Sequence, residues 1–330
     1  MKITRILFYA FLLIGLSFGC KSDTKRPAPT KDASPTQIRN VPKFDENNAY
    51  NLVQKQVDFG YRWPGTKAHG QLVEFLADEL GKYTDDLIRQ EFKVDFLDEK
   101  NVTATNIIGV VNPEYKKRIL LCAHFDTRKI AEKDDDPNLQ NDPILGADDG
   151  GSGVGVLLEI ARLIKENGID IGVDFVLFDA EDNGTDGQGW CLGSKYWGKN
   201  PHVSNYKAQF GILLDMVGAK NAVFNKEGNS YQSAGKELNK IWKLAQAIGY
   251  GNYFQDKVMG GIEDDHVHVM RHRQFPVVDI INIPNEDGES VFGHYHHTHK
   301  DNMDIIDKNT LKAVGKVVTA VVYNFSNRRF

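Results

Sequence analysis

Hydrophobic positions recur along this chain with two periods, and the period switches repeatedly from residue 45 onward. Residues 45–57 and 66–83 ("TKAHGQLVEFLADELGKY") carry apolar side chains at helical spacing. "LIRQEFKVDF" (87–96) alternates residue by residue like a half-buried strand, and "ATNIIGVVNP" (104–113) follows as another. "RILLCAHF" (118–125) is a continuous apolar run, the pattern of a strand covered on both faces. "GSGVGVLLEIARLIKENG" (151–168) predicts a helix with a glycine-rich start and a stop at Gly168. Beyond it lie a strand "GVDFVLFDA" (172–180), a helix near "GSKYWGKN" (193–200) and a strand "FGILLDMVG" (210–218). A helix around "AGKELNKIWKLAQAIG" (234–249), a late strand "FPVVDIINI" (275–283) and a closing helix "TLKAVGKVVTAVVYNF" (310–325) complete the series. Strands alternating with helices predict an α/β fold. Its central sheet is twisted and mostly parallel, with helices on both faces, in a single domain over residues 42–330. In such sheets the ligand crevice lies at the carboxyl ends of the strands.

The first 41 residues follow a different rule. "MKITRILFYAFLLIGLSFGC" has Lys2 and Arg5, then an apolar stretch from Ile6 to Phe18, then Gly19-Cys20. That stretch is short for a membrane span and fits a signal-peptide core over residues 1–19. A cysteine directly after such a core resembles the lipobox of bacterial lipoproteins, in which the signal is cut before the cysteine and the cysteine receives lipid. Ser17 stands where leucine is commoner, and an ordinary secretion signal is the alternative. Residues 20–41 are then a lipidated cysteine and a polar, proline-bearing, flexible tether. The expectation is an exported bacterial lipoprotein on the periplasmic side of the cell envelope, held to a membrane through Cys20.

Over all 330 residues, 41% hydrophobic and 26% charged content is that of an ordinary soluble globular protein. A net charge of −5 without a basic stripe argues against nucleic acid as a partner. Besides Cys20, Cys122 lies in an apolar run and Cys191 in "GWCLGS". One pair gives no disulfide framework, so both are expected to be buried free thiols.

Chemistry gathers just after the apolar runs. After "ILLCA" come His124, Asp126 and Arg128; before a helix come Asp148 and Asp149; after "VLF" come Asp179, Glu181 and Asp182. Asp215 follows "FGILL", and His294, His296, His297 and His299 follow "DIINI". Like charges at a buried strand end repel, and burying each costs several kcal/mol unless something compensates. A cation does so, and mixed histidine and carboxylate donors suit zinc better than calcium or magnesium. Each residue has a plainer reading. Asp149 can cap the helix near Ser152, Asp215 can be a satisfied strand-end carboxylate, and the four histidines can form a metal cluster of their own. "GADDGGSG" is glycine-rich but lacks the lysine of a phosphate-binding loop.

"HFDTR", "GADDGGSG", "FDAED", "LLDMVGA", "EDDH" and "HTHKDN" stand in this order over about residues 45–330. The set resembles the zinc aminopeptidases, of phosphorylase/hydrolase-like fold, and their relatives the animal-type glutaminyl cyclases. "LLDMVGA", "EDDHVHVMRHRQFPV" and "WCLGSKYW" resemble the cyclase branch, and the last of them resembles its bacterial members. That resemblance implies one zinc per chain on Asp149, Asp182 and His297, with Glu181 as general base and Asp215 and Asp264 as acidic partners. Many relatives have glutamate where Asp182 stands, and animal cyclases have tryptophan where His296 stands. Trp190 and His296 are the expected pocket residues, with core packing the other place for Trp190. The implied reaction turns the N-terminal glutamine of a peptide into pyroglutamate with release of ammonia. Zinc would polarise the side-chain amide while Glu181 shuttles a proton. A strand-like stretch at residues 181–182 would point these two acids to opposite sides. One alternative is a dinuclear zinc aminopeptidase using His124, Asp149, Asp182, Asp215 and His297, with Glu181 activating water. Another is a non-catalytic metal- or peptide-binding lipoprotein.

Overall fold

The computed structural model describes residues 39–185, 187–285 and 291–330; the expected signal peptide, Cys20 and the tether through residue 38 lie outside them. Helices α1 (Glu46–Val57) and α2 (Lys67–Gly81) start on side-chain caps, Asp45 accepting from the Asn47 and Asn48 N–H groups and Thr66 from that of His69. Strands β1 (Asp86–Phe96) and β2 (Glu99–Val111) pair antiparallel. In chain order there follow β3 (Arg118–His124), α3 (Gly151–Asn167), β4 (Gly172–Phe178), α4 (Leu192–Lys199) and β5 (Gly211–Asp215). Next come β6 (Phe224–Lys226), α5 (Gly228–Ala247), β7 (Phe254–Val258), α6 (Asp265–Arg273), β8 (Val277–Ile281) and α7 (Lys308–Ser326).

Six strands form one sheet in the order β1-β2-β4-β3-β5-β8. The pairs β3–β4, β3–β5 and β5–β8 are parallel, and β1–β2 and β2–β4 are antiparallel. β3, β4, β5 and β8 are buried at every position, as their apolar runs require. Successive residues serve two cores. Leu121, Phe175 and Leu214 pack with α1, α3 and α7 residues such as Val53, Leu157 and Val314. Leu120, Val176 and Leu213 pack with Trp197 of α4 and Val269 of α6. Two mid-strand carboxylates, Asp279 of β8 and Asp174 of β4, interrupt these apolar runs. Asp174 is answered by Arg118 and the Tyr206 hydroxyl (2.8 Å).

The register levels the strand ends. His124 lies beside Phe178, and Asp215 beside Ile281. Everything that follows these four residues therefore leaves the sheet along one edge. β4 and β5 stop earlier than their apolar runs suggest, because Ala180 (φ 56°) and Met216 (φ 47°) turn the chain through the left-handed region. Arg39, assigned from sequence to the tether, is instead fastened to the domain. Its amide donates to Asn327 Oδ1 (3.0 Å), and its guanidinium to the Asn167 carbonyl (2.9 Å). Cys122 and Cys191 are free and buried. Among the described residues no helix is long and apolar enough to cross a membrane.

Candidate active site

Two aspartates that touch no substrate pocket build the crevice. Asp126, just past β3, accepts from the N–H groups of Glu181 (2.9 Å) and Asp182 (3.3 Å) and from Asn183 Nδ2 (3.1 Å). Asp301 accepts from the N–H groups of Asp148 (2.7 Å) and Asp149 (3.1 Å). The turn they frame needs Gly150 (φ 89°), where a Cβ would lie 2.5 Å from the Asp126 carbonyl oxygen. Gly153 lets α3 close on β5, since a Cβ there would meet the Leu214 carbonyl at 2.3 Å. Gly150 is also the N-cap of α3, and it supplies no side chain. Asp149 is thus not the helix cap, and its carboxylate is available to the crevice.

The three carboxylates after β4 have three different fates. Asp179 is structural: it accepts from the Thr105 N–H (2.6 Å) and pairs with His69 Nε2 (2.8 Å), tying β2 and α2 to the strand end. Asp182 Oδ1 lies 3.0 Å from His297 Nε2, while Asp182 Oδ2 is buried with no hydrogen-bond partner. Glu181 is half-buried and lines the cavity beside Asp264. The expected reason for this split was wrong. Residues 181 and 182 are not strand, and the pleat does not separate them; a loop pinned by Asp126 does.

His297 Nε2 also lies 3.8 Å from Asp149 Oδ2. The opposite ring nitrogen, Nδ1, donates to Glu132 Oε1 at 2.6 Å. This contact fixes the ring and turns Nε2 toward the two aspartates, the arrangement in which an imidazole serves a metal. Burial pushes Glu132 up, but His297 and Arg128 outweigh it and hold it at about 2. Asp182 goes the other way, to about 6, because burial and the neighbouring Asp149 disfavour its charge more than His297 and Arg128 favour it. Arg128 Nη1 donates to the Asp182 and Gly184 carbonyls and its Nε to Glu132 Oε2 (2.9 Å), so it acts on the Asp182 carboxylate by charge rather than by a hydrogen bond. One imidazole nitrogen, two buried carboxylates and an orphaned oxygen make a donor set that fits a zinc ion. His296 is the weaker donor. Although it also converges with the Asp149 carboxylate and His297, its Nδ1 already accepts from Lys133 Nζ at 2.7 Å.

A second convergence shares Asp149. His124 Nε2 lies 3.1 Å from both Asp149 Oδ1 and Asp215 Oδ1. Burial pushes Asp215 up to about 8, with Asp149 and Asp264 adding to it and His124 opposing. Burial likewise drives Glu181 well above the carboxylate range, against the pull of His124 and with the help of Asp182, Asp264 and Asp265. A third convergence, Glu227 with His266 and Asp279, is structural. Both Glu227 oxygens are filled by N–H donors, among them Ile262 N (2.8 Å) and His266 Nε2 (3.1 Å). This knot holds the 262–264 segment against the cavity.

The eight residues expected from sequence, Asp149, Glu181, Asp182, Trp190, Asp215, Asp264, His296 and His297, all line one cavity of about 410 Å³. Trp190 is in its wall rather than in the core. The ring is parallel to that of His297 (6.1 Å, 3°) and carries the Arg128 guanidinium 4.6 Å above it. The four histidines do not cluster: His294 is exposed and His299 pairs with Asp134 (2.9 Å). Sequence reasoning missed Glu132, Lys133, Phe292 and Ile262, which also line it. It also gave Asp126 and Asp301 no structural role, although both stand inside quoted motifs.

The fold and the site define a metal-dependent hydrolase scaffold, and residues 106–322 match peptidase family M28. The chain belongs to that family. Within it, the chain is similar to the glutaminyl cyclase of Tannerella forsythia (46% identity, TM-score 0.83, 86% of this chain and 99% of that one). It is equally similar to a Zn-dependent exopeptidase from Parabacteroides distasonis (46% identity, TM-score 0.84, 86% and 100%). A glutaminyl-peptide cyclotransferase of Bothrops jararaca is 24% identical over 260 residues, 68% of this chain and 66% of that one. The chain therefore spans just under two thirds of that relative's length.

Proposed function

We propose that this chain is a zinc-dependent glutaminyl-peptide cyclotransferase, acting on peptides or proteins with N-terminal glutamine. The observation that carries the reading is the divergence of Glu181 and Asp182. Asp182 faces His297 and Asp149, whereas Glu181 faces a cavity walled by Trp190, Phe292 and Ile262. The likeness to the Tannerella glutaminyl cyclase across 99% of that chain supports cyclisation, and the equal likeness to the Parabacteroides exopeptidase makes peptide hydrolysis the alternative to test.

Asp149, Asp182 and His297 would hold one zinc ion. When bound, zinc supplies Lewis-acid polarisation of the glutamine side-chain carbonyl. The aromatic wall packs the side-chain methylenes and excludes water. Glu181 accepts a proton as the α-amine nitrogen bonds to the amide carbon. It returns that proton to the departing nitrogen as the carbon–nitrogen bond breaks, and ammonia leaves. The nucleophile and its target sit in one residue, so orientation supplies much of the rate. Asp215 and Asp264 are the acidic partners that line the cavity beside Glu181.

Incubating the protein with a glutamine-led peptide and following its mass tests the reading. Loss of ammonia supports it. Loss of the first residue favours the aminopeptidase, in which His124 and Asp215 take a second metal, and no change favours a binder. We also propose, from the sequence of residues 1–20, export and anchoring by lipid on Cys20. Cys20→Ser should release or misprocess the protein, and unchanged membrane retention would rule the anchor out.

A further inference from the structure

Among the described residues, the Cys191 thiol is the one hydrogen-bond partner of the Glu181 carboxyl group, with Sγ 3.2 Å from Oε1. The two residues meet at a second point, where the Cys191 N–H donates to the Glu181 carbonyl at 2.9 Å. Cys191 is fully buried and takes no part in a disulfide. It sits at the N-cap of α4 in the left-handed region (φ 52°, ψ 38°), where a residue other than glycine is uncommon. Its side chain makes no capping bond there, so helix capping does not explain it. Carboxylate, thiol and the Asp264 carboxyl have atoms within 4.8 Å of one another.

From this geometry we infer that Cys191 is a positioning residue, whose thiol holds the Glu181 carboxyl group in the orientation that faces the substrate amine. The inference rests on Glu181 being the base of the proposed reaction. A carboxyl group on a pinned loop still rotates about its own side-chain torsions, and Asp126 grips only the backbone. The thiol removes that freedom. A thiol is a weak donor, so it fixes direction while leaving the carboxylate oxygens able to accept from substrate. Burial, with Glu181, Asp265 and Asp264 nearby, pushes the Cys191 thiol well up, which keeps it an S–H donor.

Cys191→Ala deletes the donor, and Cys191→Ser keeps a donor of similar size. In the zinc-loaded full chain, Cys191→Ala should lower kcat about three- to tenfold, the worth of one modest hydrogen bond. KM and zinc content should stay unchanged. Cys191→Ser should stay within about twofold of the wild type, since its donor persists. The infrared S–H band, isolated as the difference between wild type and Cys191→Ala, should shift on Glu181→Gln without any turnover. Wild-type kcat in Cys191→Ala, an equal fall in both variants, or an S–H band unmoved by Glu181→Gln would each overturn the inference. If the wild type releases no ammonia from the peptide, the cyclase reading falls, and the infrared comparison alone decides the Cys191 contact.

Discussion

Glu227→Gln should destabilise the protein in a way that fades with acid. Glu227 is fully buried at the start of α5. One oxygen accepts from Asn229 N and Ile262 N (2.8 Å each), the other from Ser230 N (2.6 Å) and His266 Nε2 (3.1 Å). Burial raises its pKa, but His266 and the backbone donors more than reverse this and hold it at about 2 against an ordinary 4.5. At about 1.4 kcal/mol for each pH unit between those values, the charge contributes about 3 kcal/mol at neutral pH. The folded value lies below the unfolded one, so this stabilisation is complete above pH 4.5 and is lost as pH falls toward 2. The variant never has it. Glutamine also brings an NH₂ among groups that are all donors, a pH-independent loss of about 1–3 kcal/mol. Urea unfolding of both proteins from pH 7 downward measures the difference. It should be largest at pH 7, shrink below pH 4.5 and reach the constant part only at about pH 2 and below. A difference that does not change with pH, or a variant as stable as the wild type at pH 7, would refute the reasoning.

Two further outcomes concern the site. Glu181→Gln should fold and keep its zinc, with turnover on a glutamine-led peptide reduced about 10²–10⁴-fold, whereas Asp182→Ala should lose the metal. Paired zinc content and initial rates check this, and a variant of Glu181 at near full rate would contradict it. Glu132→Gln removes the charge behind His297 Nδ1 and should weaken zinc binding about 10–100-fold in competition with a chelator.

Much of this architecture was legible because its signals are local. β3 and β4 announce themselves as apolar runs, and the acids that follow them mark the open edge of the sheet. α6 was not legible: "DHVHVMRHR" has little apolar face, because its buried positions include Asp265, His266 and His268. The β6–β7 pair was equally hidden, being short and mostly exposed along β7. Within the site, residues that face the cavity stood out by type and by place in the motifs. Those that hold them did not. Glu132 sits in the acidic loop "AEKDDDP", and nothing local separates it from its exposed neighbours or predicts that His297, 165 positions on, will meet it. Asp126 and Asp301 act on backbone N–H groups, an interaction that leaves no mark of spacing.

The question raised by so many carboxylates at one strand edge is answered by the variety of their partners. Asp126 and Asp301 take backbone donors, Asp179 takes His69, and Asp148 takes the Tyr295 hydroxyl and the Gly218 N–H. Among the acids lining the cavity, Asp149 and Asp215 share His124, and Asp182 and Glu132 share His297. Asp264 is turned onto its own helix by the Asp265 N–H. Glu263 stands 60% exposed beside His268, so water screens it. Asp264 keeps a second oxygen that is unpartnered but buried, whereas Glu181 accepts on one oxygen from a weak donor, the Cys191 thiol, and lines the cavity. A base must have a lone pair that the protein does not already occupy. Glu181 meets that condition at the cavity, while its neighbour Asp182 has one oxygen engaged by His297 and the other buried, unpartnered, where a cation would complete the set. The division of labour between two adjacent acids thus follows from what each can still bind.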